Sequence, residues 1–146
     1  MMGGPGAGKS YVVENHFGEF AVLDCDSIKA EHPDYDPKDP AALHNWSRTE
    51  LVRRIYSALG RNESFVYDGT GTSVERYVKL FNDAQAAGYE VRLVYVTCTL
   101  KTALTRNANR ERVVPEDIVR DKHLTVATAF EVLSRYATTV EVINNN

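Results

Sequence analysis

The 146-residue sequence predicts an α/β fold, a three-layer α/β/α sandwich with a mostly parallel sheet whose first strand is truncated or missing. Three observations carry this expectation. Short apolar runs alternate with amphipathic, helix-spaced segments along the chain. A glycine-rich turn, Gly3-Gly4-Pro5-Gly6-Ala7-Gly8-Lys9-Ser10, opens directly into a helical pattern. Polar residues end several of the apolar runs, and in open parallel sheets ligands bind at the carboxyl ends of the strands.

The elements follow in order. Residues 8–17 read as a short helix, with Val13 and Phe17 on one face and Gly18 as its stop. Residues 20–25 form the next strand. Residues 26–40 contain Pro33, Pro37 and Pro40 among several carboxylates, too many prolines for regular structure, and their length suggests a functional loop. A helix covers residues 42–59, with Leu51, Ile55 and Leu59 at helical spacing and Gly60 at its end. Ser47 and Glu50 have capping-box spacing, which marks a split or restart there. Residues 65–68 are a strand that runs into Gly69-Thr70-Gly71. Thr72 and Glu75 make a second capping box, opening a helix whose core face includes Val74, Val78 and Phe81 and which Gly88 stops. Residues 91–98 are the most apolar strand, and Thr99 caps the helix after it. Pro115 suits the first turn of a last helix, where Glu116 and Asp117 complement the dipole, and residues 139–143 form a final strand. A central strand of about five residues belongs ahead of the glycine turn. Met1 and Met2 are expected to be its tail in a longer native chain, or the start was chosen too late.

Composition bounds the function. With 43% hydrophobic and 25% charged residues, the chain reads as one ordinary soluble domain, complete or a fragment of a longer one. A net charge of −3 supplies no global basic field for non-specific nucleic-acid binding. Cys25 and Cys98 fall in expected strands and read as buried, unpaired thiols of a reducing compartment. No signal-peptide, membrane-spanning or lipidation pattern is seen, so the cytoplasm is the expected location and no membrane partner is expected. His16, His32, His44 and His123 lack metal-ligand spacing, and Trp46 reads as packing.

The chemistry centres on the glycine turn, which has the complete G-x-x-x-x-G-K-[ST] pattern. Such a turn aims successive backbone N–H groups at nucleotide phosphates. Lys9 then reaches the β- and γ-phosphates, and the Ser10 hydroxyl ligates Mg²⁺. Asp24 and Asp26 end the second strand, where alternation puts both side chains on one side. A carboxylate there can take the proton of a substrate hydroxyl attacking the γ-phosphate, the alternative being that one of them caps the following turn. Asp68, before Gly69-Thr70-Gly71, can orient the waters of Mg²⁺ or bind substrate, or hydrogen-bond its own turn. Arg106, Arg110 and Arg112 lie between the fourth strand and the last helix. Arg106 and Arg110, four apart, would share a helix face, and arginines of a mobile lid neutralise a transferring phosphoryl group. Their alternative is a solvated face paired with Glu111 and other acids.

Taken together, Gly-Pro-Gly-Ala-Gly-Lys-Ser, then Asp24-Cys-Asp-Ser-Ile-Lys-Ala-Glu-His-Pro-Asp-Tyr-Asp36, then Asp68-Gly-Thr-Gly-Thr resemble the zeta-toxin-like P-loop kinases, over almost the whole chain. That group is in turn similar to the kinase domain of polynucleotide kinases and to small-metabolite phosphotransferases. The resemblance implies a P-loop NTPase fold and a kinase that uses ATP and Mg²⁺. It implies an ATP site of Gly3, Gly4, Pro5, Gly6, Ala7, Gly8, Lys9, Ser10 and Tyr11, with Arg110. It makes Asp26 the catalytic base, Arg106 and Arg112 the lid arginines, Lys9 a catalytic residue, Asp24, Asp68 and Thr70 substrate contacts, and Ser10 with Asp68 the metal ligands. Zeta toxins phosphorylate the 3′-hydroxyl of UDP-N-acetylglucosamine, which becomes a candidate substrate. Three departures stand out. Asp68 replaces the family's glutamate, Arg110 can take the place of Arg106 in the compact arginine segment, and larger members carry further C-terminal sequence.

Three functions follow. The first is an ATP-dependent kinase acting on a hydroxyl of a small metabolite or nucleotide sugar, with an antitoxin-like protein partner left open. The second is a polynucleotide or nucleic-acid hydroxyl kinase, which needs a basic channel; the acidic stretch at residues 33–40 disfavours it, although Arg48, Arg53 and Arg54 can form a local basic patch. The third is a non-catalytic nucleotide-binding module or inactive fragment.

Overall fold

The computed structural model describes residues 1–39, 41–111 and 113–146. In chain order these form α1 (Lys9–His16), β1 (Ala21–Leu23), α2 (Cys25–Ala30), α3 (His44–Gly60) and β2 (Phe65–Tyr67). They continue with α4 (Val74–Ala86), β3 (Arg92–Thr97), α5 (Leu100–Ala108), α6 (Glu116–Leu133) and β4 (Thr139–Asn144). The class is mixed α/β with short parallel strands, compatible with a P-loop NTPase fold. The chain divides into two compact units, Met1–His16 with Thr70–Asn146, and Phe17–Gly69.

In the first unit, β3 carries the core. Its residues 93–96 are buried one after another, as expected of a parallel strand covered on both faces. β4 pairs with it in parallel, Leu93 opposite Val140 and Val96 opposite Ile143. Of the strand expected ahead of the glycine turn, Met2 supplies one parallel bridge to Tyr95, its N–H donating to the Val94 carbonyl (2.8 Å) and its carbonyl accepting from Val96 N–H (2.9 Å). α6 brings Val119, Val126, Ala129 and Leu133 into this core, and Tyr95 stacks on Phe130 with centroids 4.6 Å apart.

Several boundaries differ from expectation. α4 buries Tyr77, Phe81 and Ala84, while Val74 and Val78 are only half-buried. The face is rotated because Tyr77 can bury its ring and still accept from Gly71 N–H (3.2 Å). The Thr72/Glu75 box does not form: Ser73 is the N-cap, without a side-chain bond, and Thr72 Oγ1 lies 3.1 Å from Thr70 Oγ1. Pro115 is the cap of α6 rather than its first residue. Thr99 does cap α5, accepting from Thr102 N–H at 3.2 Å.

In the second unit, β1 and β2 pair in parallel, Val22 opposite Val66, and α3 buries Leu51, Ile55, Ala58 and Leu59. The largest correction lies at residues 26–40. Their first part is helical, α2, because Asp24 nucleates a turn before the prolines begin. Cys25 therefore opens a helix and does not end a strand. α3 shows no restart at Ser47, which is fully buried and bonds the His44 carbonyl (3.0 Å) as an interior helix residue. Glu50 is turned to Arg53 (2.6 Å) and Arg54 (3.0 Å), whose hydrogen bonds hold its carboxyl down to about 2. Gly60 is the last residue of α3 and not a stop beyond it. A methyl group there would meet nothing within 4 Å. Gly60→Ala is expected to raise stability by about 0.5–1 kcal/mol, read from denaturant midpoints, because it removes backbone entropy from the unfolded chain.

Candidate functional site

The glycine turn is shaped by torsions and by close backbone approach. Gly6 and Gly8 take φ of +77° and +88°, a region that favours glycine. A Cβ on Gly3 would stand 2.6 Å from the Val96 carbonyl oxygen of β3, and one on Gly6 2.8 Å from the Ala103 carbonyl oxygen of α5. Only hydrogen fits at either place. α1 starts directly behind the turn, with the positive end of its dipole at Lys9 and Ser10. Ser10 and Tyr11 are exposed, Gly4 and Pro5 half-buried and Ala7 buried. Lys9 folds back so that its Nζ donates to the Gly3 carbonyl at 2.9 Å, keeping its charge against the turn.

The carbonyls of the turn have partners of their own. Arg106 Nη1 donates to Gly6 O (3.1 Å), and Asn145 Nδ2 donates to Ala7 O (3.0 Å). Arg106 Nη2 donates to the Asn145 carbonyl at 2.6 Å. The Cys98 sulfur lies 3.7 Å from Gly6 O, and burial pushes its thiol up against the downward pull of the Arg106 charge, so it stays protonated.

The arginines expected to form one face do not share a helix. α5 ends at Ala108 because the Asn107 side chain, 3% exposed, turns the chain by bonding the Val114 backbone twice (2.7 and 3.1 Å). Arg106 is in the last turn and tied to the glycine loop; Arg110 lies beyond the helix end, exposed. Arg112 lies outside the described residues, as does Pro40 of the proline-rich stretch. Thr70, in the same unit, is exposed.

In the second unit, Asp24 and Asp26 are not alternating strand residues. Asp24 is the N-cap of α2, with Oδ1 accepting from Ser27 N–H and Oδ2 from Ser27 Oγ, both at 2.7 Å. Asp26 stands exposed in the first turn of that helix. Helical geometry separates two side chains that strand alternation would have aligned. Cys25 between them is half-buried, and its thiol is raised by burial first and by the Asp26 charge second. Asp68 follows β2, half-buried, its N–H extending the ladder to Leu23 O at 3.0 Å.

Sequence reasoning missed Asn145 and Asn107, since neither sits in a motif. One signal was present for Asn145: it is a polar residue at the carboxyl end of a parallel strand.

A glycine-rich turn, a lysine and a helix N-terminus can hold a polyphosphate. The family model described as zeta toxin matches residues 1–146, the whole chain. The chain belongs to the zeta toxin family. No curated protein matches it. Zeta toxins are P-loop kinase-like and nucleotide-binding, so the chain is a P-loop kinase-like phosphotransferase. No helix among the described residues is long and apolar enough to cross a membrane.

Proposed function

We propose that this zeta toxin family member is an ATP-dependent kinase that phosphorylates a hydroxyl of a small metabolite or nucleotide sugar. The observation that carries the reading is the glycine cradle. Gly3 and Gly6 let it lie against the β3 and α5 backbones, where a Cβ would clash, and Lys9 and Ser10 stand at its helical end, a set of residues that fits ATP and Mg²⁺. Gly3 to Ser10 and Tyr11 bind the nucleotide, Lys9 holding negative charge on the terminal phosphates. Ser10 and Asp68 are the residues that would hold Mg²⁺, which would supply positive charge against the phosphates. Asp26 accepts the proton of the acceptor hydroxyl. Its exposure on a capped helix turn supports that role, for it can meet a substrate while Asp24 keeps the turn rigid. Asp68 and Thr70 contact the acceptor, Asp24 serves the site by capping α2 with both its oxygens, and Arg106, Arg110 and Arg112 offset the charge of the transferring group.

With this reading go a single three-layer kinase domain, complete or part of a longer chain, a cytoplasmic location and an antitoxin-like partner. The nucleic-acid alternative needs a basic channel, and here Arg54 is bound by both Glu31 (2.6 Å) and Glu50 (3.0 Å) while Arg53 is bound by Glu50. The local basic patch is thus largely neutralised, which favours a small acceptor.

Incubation with γ-labelled ATP, a metabolite extract and oligonucleotides should label the small-molecule fraction. Label in the oligonucleotides would reverse the choice of acceptor. Intact ATP binding with no transfer to any acceptor would instead make the chain a binding module.

A further inference from the structure

Two carbonyls at the centre of the phosphate loop, those of Gly6 and Ala7, accept hydrogen bonds from side chains far along the chain. Arg106 Nη1 serves Gly6 O (3.1 Å), Asn145 Nδ2 serves Ala7 O (3.0 Å), and Arg106 Nη2 closes the ring on the Asn145 carbonyl (2.6 Å). From these bonds we infer that Asn145 is a positioning residue for nucleotide binding, acting with Arg106 as a clamp that holds the phosphate loop in its binding conformation before nucleotide arrives. The inference rests on the proposed binding of ATP at this loop.

The need for a clamp comes from the loop's own sequence. Ala7 is flanked by Gly6 and Gly8, both at positive φ, and glycine has many competing backbone conformations. The Gly4 carbonyl is met inside the loop, by the Ala7 N–H at 3.2 Å, whereas those of Gly6 and Ala7 take side-chain donors from elsewhere. Asn145 is well placed to be one. Its N–H donates to Thr97 O (2.8 Å), which carries the β3–β4 ladder one residue past β4 and sets the amide against the loop. The amide also occupies the space a Cβ on Gly8 would need, so the contact is close as well as bonded. Arg106 is immobilised by the same ring, and its charge lies beside the loop whether or not a lid closes. Ordering the loop in advance removes a conformational cost from nucleotide binding.

Asn145→Ala and Asn145→Asp test this in the full chain. The first removes the side chain; the second keeps its size but exchanges the amide donor for an acceptor. Amide hydrogen exchange over residues 3–9 should quicken in both without nucleotide, while exchange in β3 stays as in the parent. Calorimetry should show affinity for Mg²⁺-ATP falling about tenfold, the scale of one part-buried hydrogen bond lost, with only the long 3.5 Å contact from Arg106 Nη1 left to the Ala7 carbonyl. Unchanged exchange in residues 3–9 would overturn the clamp. Quickened exchange with unchanged affinity would overturn its role in binding. If Asn145→Ala does not fold, Asn145→Asp decides by the same two readouts. A parent chain that binds no ATP would defeat the proposed function, and loop exchange alone would then judge the clamp.

Discussion

Asp26→Asn should lower phosphoryl transfer about 10²–10⁴-fold while leaving ATP affinity within about twofold of the parent, the pattern expected when a general base is lost. The substitution keeps size and hydrogen-bonding reach and removes only the capacity to hold a proton. It also leaves α2 in place, because the cap bonds belong to Asp24 and Ser27 and not to Asp26. Asp24→Asn is the matching control. It should act mainly through the helix, since both oxygens of Asp24 serve Ser27, and weakening that cap costs about 0.5–2 kcal/mol of stability. Turnover under saturating ATP, set beside calorimetric ATP binding, separates the two. Full turnover in Asp26→Asn would remove Asp26 from the role and leave the attacking hydroxyl without an assigned base.

Gly6→Ala should be the most damaging of the conservative changes in the loop. At φ +77° a Cβ costs about 1–2 kcal/mol from local sterics alone. Here it would also stand 2.8 Å from the Ala103 carbonyl oxygen and 3.2 Å from the Ala103 Cα, backbone atoms of a helix that cannot swing aside as a side chain would. A loss of about 2 kcal/mol or more is expected, a fall in Tm of about 6 °C for a domain of this size, with ATP affinity reduced further as the loop is displaced. Gly60→Ala is the contrast within the same chain. Its added methyl meets open space, and the sign of the effect reverses. Equal stability in Gly6→Ala and the parent, by thermal and denaturant unfolding, would show that the turn yields more easily than its contacts indicate.

The difference between these glycines marks the reach of sequence reasoning. The spacing of Gly3, Gly8, Lys9 and Ser10 identifies the loop because backbone approach to phosphate permits few sequences. The strand at residues 91–98 was legible for a similar reason: a strand buried on both faces must be apolar throughout. Asp24 and Asp26 were harder. Strand alternation and helix capping both accommodate Asp-Cys-Asp-Ser, and the choice depended on where β1 stopped. Ser47 and Glu50 match a capping box, yet Ser47 is buried inside α3 and Glu50 is held by two arginines, so tertiary packing overrode a local signal.

What the sequence determined by itself is the α/β class, the glycine-rich turn with its G-x-x-x-x-G-K-[ST] spacing and, through the match over residues 1–146, the family. Each follows from short-range rules: periodicity, glycine torsions, and residue types at fixed spacing. What only the tertiary structure decided is which side chains serve the loop. Asn145 lies 138 residues from Ala7 and Arg106 lies 100 from Gly6, and no local pattern connects them. The parallel pairing of β3 with β4 places Asn145, since it carries the end of β4 to the carboxyl end of β3 beside the Ala7 carbonyl, while Arg106 reaches the Gly6 carbonyl from the last turn of α5.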